Sequence, residues 1–86
     1  MFFVYIIFSA SSNIYYKGFC VNIEKRLRQH NENESRYTAQ KGPWVLVFAR
    51  KFDTKKKALK YEKMLKRQNR SYILWLLEQD YNILKK

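Results

Sequence analysis

Cysteine, histidine and acidic side chains are all scarce in this chain of 86 residues: 1 Cys, 1 His and 7 Asp and Glu stand against 18 Lys and Arg. A lone Cys20 cannot form an internal disulfide, and with His30 as its one histidine the chain has no zinc site of the usual Cys/His type. Any metal must be held by oxygen ligands. Long hydrophobic runs are lacking too. The first apolar run, Phe2 to Phe8, is too short to span a bilayer and has no preceding basic segment or following small-residue cleavage site. It reads as a strand, which places the protein in the cytoplasm with no membrane role. Repeats, linkers and low-complexity segments are also missing, and the length suits one core and one domain over residues 1–86.

What the chain does have is apolar material and positive charge. The hydrophobic fraction is 47% and aromatics make up 17%, enough to offset chain entropy and to exclude intrinsic disorder. A formal net charge of +11 and a pI near 10 create a field that attracts polyanions and makes their binding steeply salt-dependent. A solubilising surface or attraction to anionic headgroups would also use such charge. Nucleic acid is the better match, because the charge sits on an aromatic-rich folded domain rather than on a polybasic tail.

Strand and helix signals alternate along the chain. Phe2 to Phe8 is aromatic and β-branched, the polar cluster Ser9 to Asn13 is a turn, and Ile14 to Val21 completes a hairpin. Asn22 is a candidate N-cap for a helix carrying Ile23, Arg26, Leu27 and His30, with Glu24 in its first turn and an end within Asn31 to Ser35. Past a basic loop with Lys41, Gly42 and Pro43, Trp44 to Phe52 predicts a third strand. Asp53 or Thr54 would cap a second helix whose Ala58, Leu59, Glu62 and Leu65 share a face. A third helix is expected from Arg70 to about Leu84, with Ile73, Leu76 and Leu77 inward. Trp44 and Trp75, inside apolar runs, are assigned to the core. The order β-β-α-β-α-α implies an α+β domain, a small three-stranded antiparallel sheet flanked by about three helices.

Within this frame the motifs fall in a specific order. Phe3-Val4-Tyr5 is followed by Tyr16-Lys17-Gly18, then by NIEKRLRQH (Asn22 to His30), GPWVLVF (Gly42 to Phe48) and ALKYEKMLK (Ala58 to Lys66). The series resembles the GIY-YIG nuclease superfamily in its small stand-alone, UPF0213-like form, from about Phe2 to Trp75. The resemblance implies a divalent-metal-dependent endonuclease that hydrolyses DNA phosphodiester bonds in repair or recombination. Mg²⁺ or Mn²⁺ would be its cofactor, with no small organic cofactor, and DNA its partner; oligomeric state stays open. The alternative is a noncatalytic basic nucleic-acid-binding module on the same scaffold.

The chemistry of the individual residues is compatible with that activity. Phosphodiester hydrolysis needs an activated water, positive charge at the phosphorane-like transition state and help for the leaving oxygen. A single carboxylate can anchor Mg²⁺, which otherwise keeps waters and phosphate oxygens. Glu62 is the candidate, although the residues alone favour a surface ion pair with Lys63 or Lys66; the resemblance makes it the metal ligand. Arg26 and His30 lie one turn apart on one helix face, an arginine suited to clamping phosphate and a histidine to positioning a proton. A solvated base and a helix-end histidine satisfying the macrodipole are the plainer readings. By resemblance Arg26 is essential to the site and His30 often accompanies it.

Tyr5 and Tyr16 fall on neighbouring strands, close enough to share a site, and would act as bases only where nearby cations favour the phenolate. Half-buried packing is their alternative. By resemblance Tyr5 orients or deprotonates the attacking water and Tyr16 hydrogen-bonds nearby. Gly18 would allow backbone approach to phosphate or relieve a bulge. Lys17, Lys55, Lys56, Lys57, Lys60, Lys63, Lys66, Arg67 and Arg70 would track the nucleic-acid backbone. The first motif has Phe3 and Val4 for the usual glycine and isoleucine, and Lys17 replaces an isoleucine, so no catalytic group is lost. An asparagine downstream of the metal glutamate completes the site in many members, and Asn69 stands close to Glu62 in sequence for that role.

Overall fold

The computed structural model describes residues 1–84. Its elements are β1 (Phe2–Ser9), β2 (Ile14–Cys20), α1 (Ile23–Asn31), β3 (Trp44–Phe52), α2 (Lys55–Leu65) and α3 (Arg70–Leu76). The strands form one antiparallel sheet in the order β2-β1-β3, the α+β arrangement that the sequence predicts. Asn13 takes φ 54° in the β1–β2 turn, a left-handed conformation that asparagine tolerates better than most residues.

Both faces of β1 are covered, which explains why its sequence is apolar from Phe2 through Phe8 rather than at alternate positions. Val4 and Ile6 point to one side, where they pack with Phe48, Ala58, Leu65, Ile73 and Leu76. Tyr5 and Ile7 point to the other and join Cys20 and Trp44, with Ile23 and Leu27 of α1 against them. So α1 lies on one face of the sheet, and α2 with α3 on the other.

The helix starts are fixed by side-chain caps, as the sequence signals indicate. Asn22 accepts from the Lys25 N–H at 3.0 Å, and Thr54, rather than Asp53, accepts from Lys57 N–H at 3.2 Å. Each such cap is worth about 1 kcal/mol. Two expectations along α2 and α3 are corrected. Leu59 is 40% exposed; the stripe turned to the sheet is Ala58, Tyr61 and Leu65, with Glu62 on its flank. Trp75 is 52% exposed rather than core.

The third helix is also shorter than its apolar pattern suggests, because Asn82 takes its last turns away. Its buried amide accepts from Ala49 N–H at 3.2 Å and donates to the Val47 and Leu77 carbonyls at 3.2 and 3.0 Å, while Ile83 N–H donates to Ala49 C=O at 2.9 Å. The tail thus closes the open edge of β3 beside the irregularity in its pairing with β1. Paired edge groups and a satisfied buried amide outweigh two further helical turns.

Candidate active site

Tyr5 lies at the centre of the sheet, opposite Gly18 of β2. A Cβ at position 18 would overlap the ring and hydroxyl of Tyr5, so glycine is what lets the phenol lie flat across the strand. The β1–β2 register runs through this pair without interruption. Gly18 therefore makes room for a side chain; it relieves no bulge.

Above the phenol, α1 delivers two side chains. His30 is completely buried, and its Nε2 lies 2.8 Å from the Tyr5 hydroxyl while its Nδ1 lies 2.6 Å from Thr38 Oγ1. Arg26, one turn earlier, directs Nε at the same hydroxyl from 3.4 Å and holds Gln29 Oε1 through Nη1 at 3.0 Å. Burial, aided by the Arg26 charge, lowers the His30 pKa to about 4, so the ring is neutral near pH 7. It then carries one N–H and one acceptor nitrogen. In one tautomer Tyr5 donates to His30 and His30 donates to Thr38; in the other both bonds reverse. A helix-end histidine satisfying the macrodipole would be exposed and charged, and His30 is neither.

The Tyr5 pKa is raised to about 12 by burial, against the lowering effect of Arg26. The protein alone therefore keeps this phenol protonated, and the phenolate expected from a basic pocket is not favoured at rest. Tyr16 joins the cluster by its ring, edge-on to His30 with centroids 5.2 Å apart. It also packs on Tyr37 at 5.3 Å. Among the described residues its hydroxyl makes no hydrogen bond.

Thr38 and Tyr37 come from the segment between α1 and β3, which has no periodicity to mark them. The segment is tied down by polar contacts. Asn31 brackets the Trp44 backbone, accepting from its N–H at 2.6 Å and donating to its C=O at 3.2 Å, and the Trp44 indole donates to Thr38 C=O at 3.2 Å. These bonds fix Thr38 beneath His30 and leave Tyr37, 60% exposed, over Tyr16.

Glu62 stands apart from this cluster. Among the described residues no hydrogen bond or ion pair joins it to Tyr5, Tyr16, Arg26 or His30, and it pairs with Lys66 at 3.4 Å, its side chain only 17% exposed. The link runs through Lys66, which with Tyr15, Tyr16, Lys17 and Tyr37 lines an open concavity of about 320 Å³. The concavity lies along the outer edge of β2, where Lys66 of α2 meets the tyrosines. Among the described residues no group of three or more His, Cys, Asp or Glu stands together. The donor set suits a cation that takes one carboxylate and keeps water and phosphate oxygens, as Mg²⁺ does.

Of the basic candidates, Lys55, Lys56, Lys60, Lys63, Lys66 and Arg67 are exposed on and just beyond α2. Lys17 is different: its ammonium donates to Gln68 C=O at 3.1 Å, and burial lowers its pKa. Arg70 grips the β1–β2 turn through Asn13 Oδ1 and C=O at 3.1 and 2.6 Å, and its guanidinium lies 5.0 Å from the centre of the Tyr15 ring. Both are partly committed to holding elements together. Asn69 caps α3 by accepting from Tyr72 N–H at 3.0 Å.

Known proteins resemble this chain in sequence and in fold. Residues 1–78 match the GIY-YIG catalytic domain. A UPF0213 protein of Syntrophus aciditrophicus is 36% identical over 80 residues, 91% of each chain. A second, from Haloquadratum walsbyi, is 34% identical over 94% of this chain and 91% of its own. The solution structure of the UPF0213 protein BH0048 from Bacillus halodurans covers 94% of this chain and 87% of its own, with a TM-score of 0.60 and 25% identity. Proteins with this domain are usually nucleases, and DNA is the substrate the family implies. With the family match spanning nearly the whole chain and the tyrosine, arginine and histidine motifs meeting at one place, the protein belongs to the GIY-YIG catalytic domain family.

Proposed function

We propose that the protein is a divalent-metal-dependent endonuclease that hydrolyses DNA, with DNA repair or recombination as its setting. The observation that carries the reading is the buried line Tyr5–His30–Thr38 with Arg26 beside its outer end. Neutral imidazole is an acceptor already in contact with the phenol. As water is deprotonated, its proton passes to the Tyr5 oxygen while the Tyr5 proton passes to His30 Nε2. Tyr5 thus serves as a base without becoming a stable phenolate, which its pKa of about 12 disfavours. A phosphodiester arriving beside Arg26 raises the His30 pKa, because added negative charge favours imidazolium.

Arg26 spends two of its five N–H groups on Tyr5 and Gln29; the others can meet phosphate oxygens. Glu62 would hold the metal, which when bound supplies positive charge to the phosphate and lowers the pKa of coordinated water. The hydroxide formed attacks phosphorus, the bond to the leaving oxygen breaks, and that oxygen takes a proton from solvent. Lys55, Lys56 and Lys57 open α2 at the positive end of its dipole, where each opposes the macrodipole by about 0.3–1 kcal/mol. Binding a polyanion offsets that penalty.

One observation favours the noncatalytic alternative. Asn69 accepts as a helix cap and Asn82 is buried against β3, so the carbonyl oxygen of each is already committed away from Glu62. Cleavage of labelled single-stranded, duplex and branched DNA with Mg²⁺, Mn²⁺ or EDTA, alongside Glu62→Ala and Tyr5→Phe, separates the two readings. Metal-dependent cleavage lost in both variants supports the nuclease. Salt-sensitive binding without cleavage in every condition supports the binding module.

A further inference from the structure

The sheet face opposite Tyr5 carries a second concavity, between β3 and α2. It holds about 360 Å³ and is lined by Arg50, Phe52, Lys57, Lys60, Tyr61 and Met64. Its walls are apolar and its rim is cationic, and among the described residues no carboxylate lines it. The Arg50 guanidinium lies 4.2 Å from the centre of the Tyr81 ring, 4.9 Å from Tyr61 and 5.2 Å from Phe52. Among the described residues no ion pair reaches it; Asp53, the nearby acid, pairs with Lys57 at 3.5 Å. A cation steadied by aromatic faces and lacking a counter-ion keeps its charge for a ligand. Tyr61 contributes its ring to the wall of the groove, with its hydroxyl enclosed beside Arg50.

We propose that this groove binds one unpaired nucleotide of a single-stranded nucleic acid, its base seated on Phe52 and Met64 and its phosphate held by Arg50, Lys57 and Lys60. Charge alone would accept any polyanion, but an apolar floor within a cationic rim matches a base and its phosphate together. In a duplex the bases are paired inward and only the rim could be used. The site does not rest on the hydrolytic reading: it lies on the other face of the sheet and needs no metal.

The test is a titration in EDTA of an oligothymidylate, an abasic phosphodiester oligomer of equal length and a duplex. Binding is followed by fluorescence anisotropy and by backbone amide NMR shifts. Oligothymidylate is expected to bind about tenfold tighter than the abasic oligomer, with shifts at Arg50, Phe52, Lys60 and Tyr61. Met64→Lys gives opposite signs for the two explanations. It adds positive charge, so a purely electrostatic rim would bind more tightly, whereas a filled base seat loses the preference for thymidylate. Should Met64→Lys fail to fold, the uncharged Met64→Gln is read by the same preference. Equal binding of the thymidylate and abasic oligomers by the wild type, an undiminished preference in the variants, or shifts confined to the Tyr5 side overturns the proposal.

Discussion

The two faces of the sheet handle polar groups in opposite ways. On the α1 face, Tyr5, His30 and Thr38 are buried and partnered within one hydrogen-bonded line. On the α2 face, lysines are exposed in numbers that acidic neighbours do not balance, and α2 has no acidic residue in its first turn. A buried, partnered line sets geometry and proton positions, because low dielectric makes each misplacement expensive. An exposed basic surface sets affinity, because each charge acts almost independently and through screened fields. Chemistry and binding strength are therefore expected to respond to different substitutions.

The largest effect is expected from Tyr5→Phe. It is expected to reduce cleavage by about 100- to 10,000-fold, the usual range for a general acid or base, while DNA affinity measured in EDTA changes less than threefold or so. Equal losses in both would mean that the α1 face contributes binding rather than chemistry. Next in size is an acid sensitivity of the fold. The His30 pKa falls from the ordinary histidine value of 6.5 to about 4 on folding, so between those pH values the unfolded chain takes up a proton that the folded chain refuses. Stability conferred by neutral His30 is present above pH 6.5 and lost as pH falls toward 4, by roughly 3 kcal/mol in all. Urea unfolding at pH 7 and pH 4.5 reads this, and His30→Gln should flatten the difference; an unchanged pH dependence in that variant would remove His30 as its cause.

Gly18→Ala is smaller in stability and just as specific. The new methyl meets the Tyr5 ring, and overpacking of this kind is worth about 1–3 kcal/mol. Cleavage should fall with it, since Tyr5 must move from His30, whereas the salt dependence of binding should not. At the small end, removing one exposed lysine such as Lys56 or Lys63 should leave the turnover of bound DNA intact. It should lower the slope of log affinity against log salt by about 0.9 if that lysine contacts a phosphate. A lysine whose loss changes turnover but not the slope would belong with Tyr5 rather than with the surface.

Some of this was legible before any tertiary contact. The apolar run of β1, the caps at Asn22 and near Thr54, and the aromatic strand from Trp44 follow from local rules of propensity and capping, which need only neighbouring residues. The spacing of Arg26 and His30 put them on one face for the same reason, and the i,i+4 pair of Glu62 with Lys66 is of the kind the helix repeat predicts. Where local pattern met a competing long-range partner, it misled. The inward pattern of Ile73, Leu76 and Leu77 promised a helix running on to about Leu84, but the Asn82 amide could satisfy the edge of β3, and Leu59 and Trp75 remained exposed because neighbouring helix positions had already filled the contact with the sheet.

Composition, capping and ordered spacing are properties of the chain, and they set the class of the domain, its basic character and the family motifs. Folding alone made His30 neutral, set Thr38 to hold it, gave Gly18 the task of admitting a phenol, and left Glu62 apart from the tyrosine, arginine and histidine cluster. Those outcomes depend on burial and on contacts between residues distant in sequence, and a shift of proton affinity comes from the surroundings a side chain acquires rather than from its place in a motif.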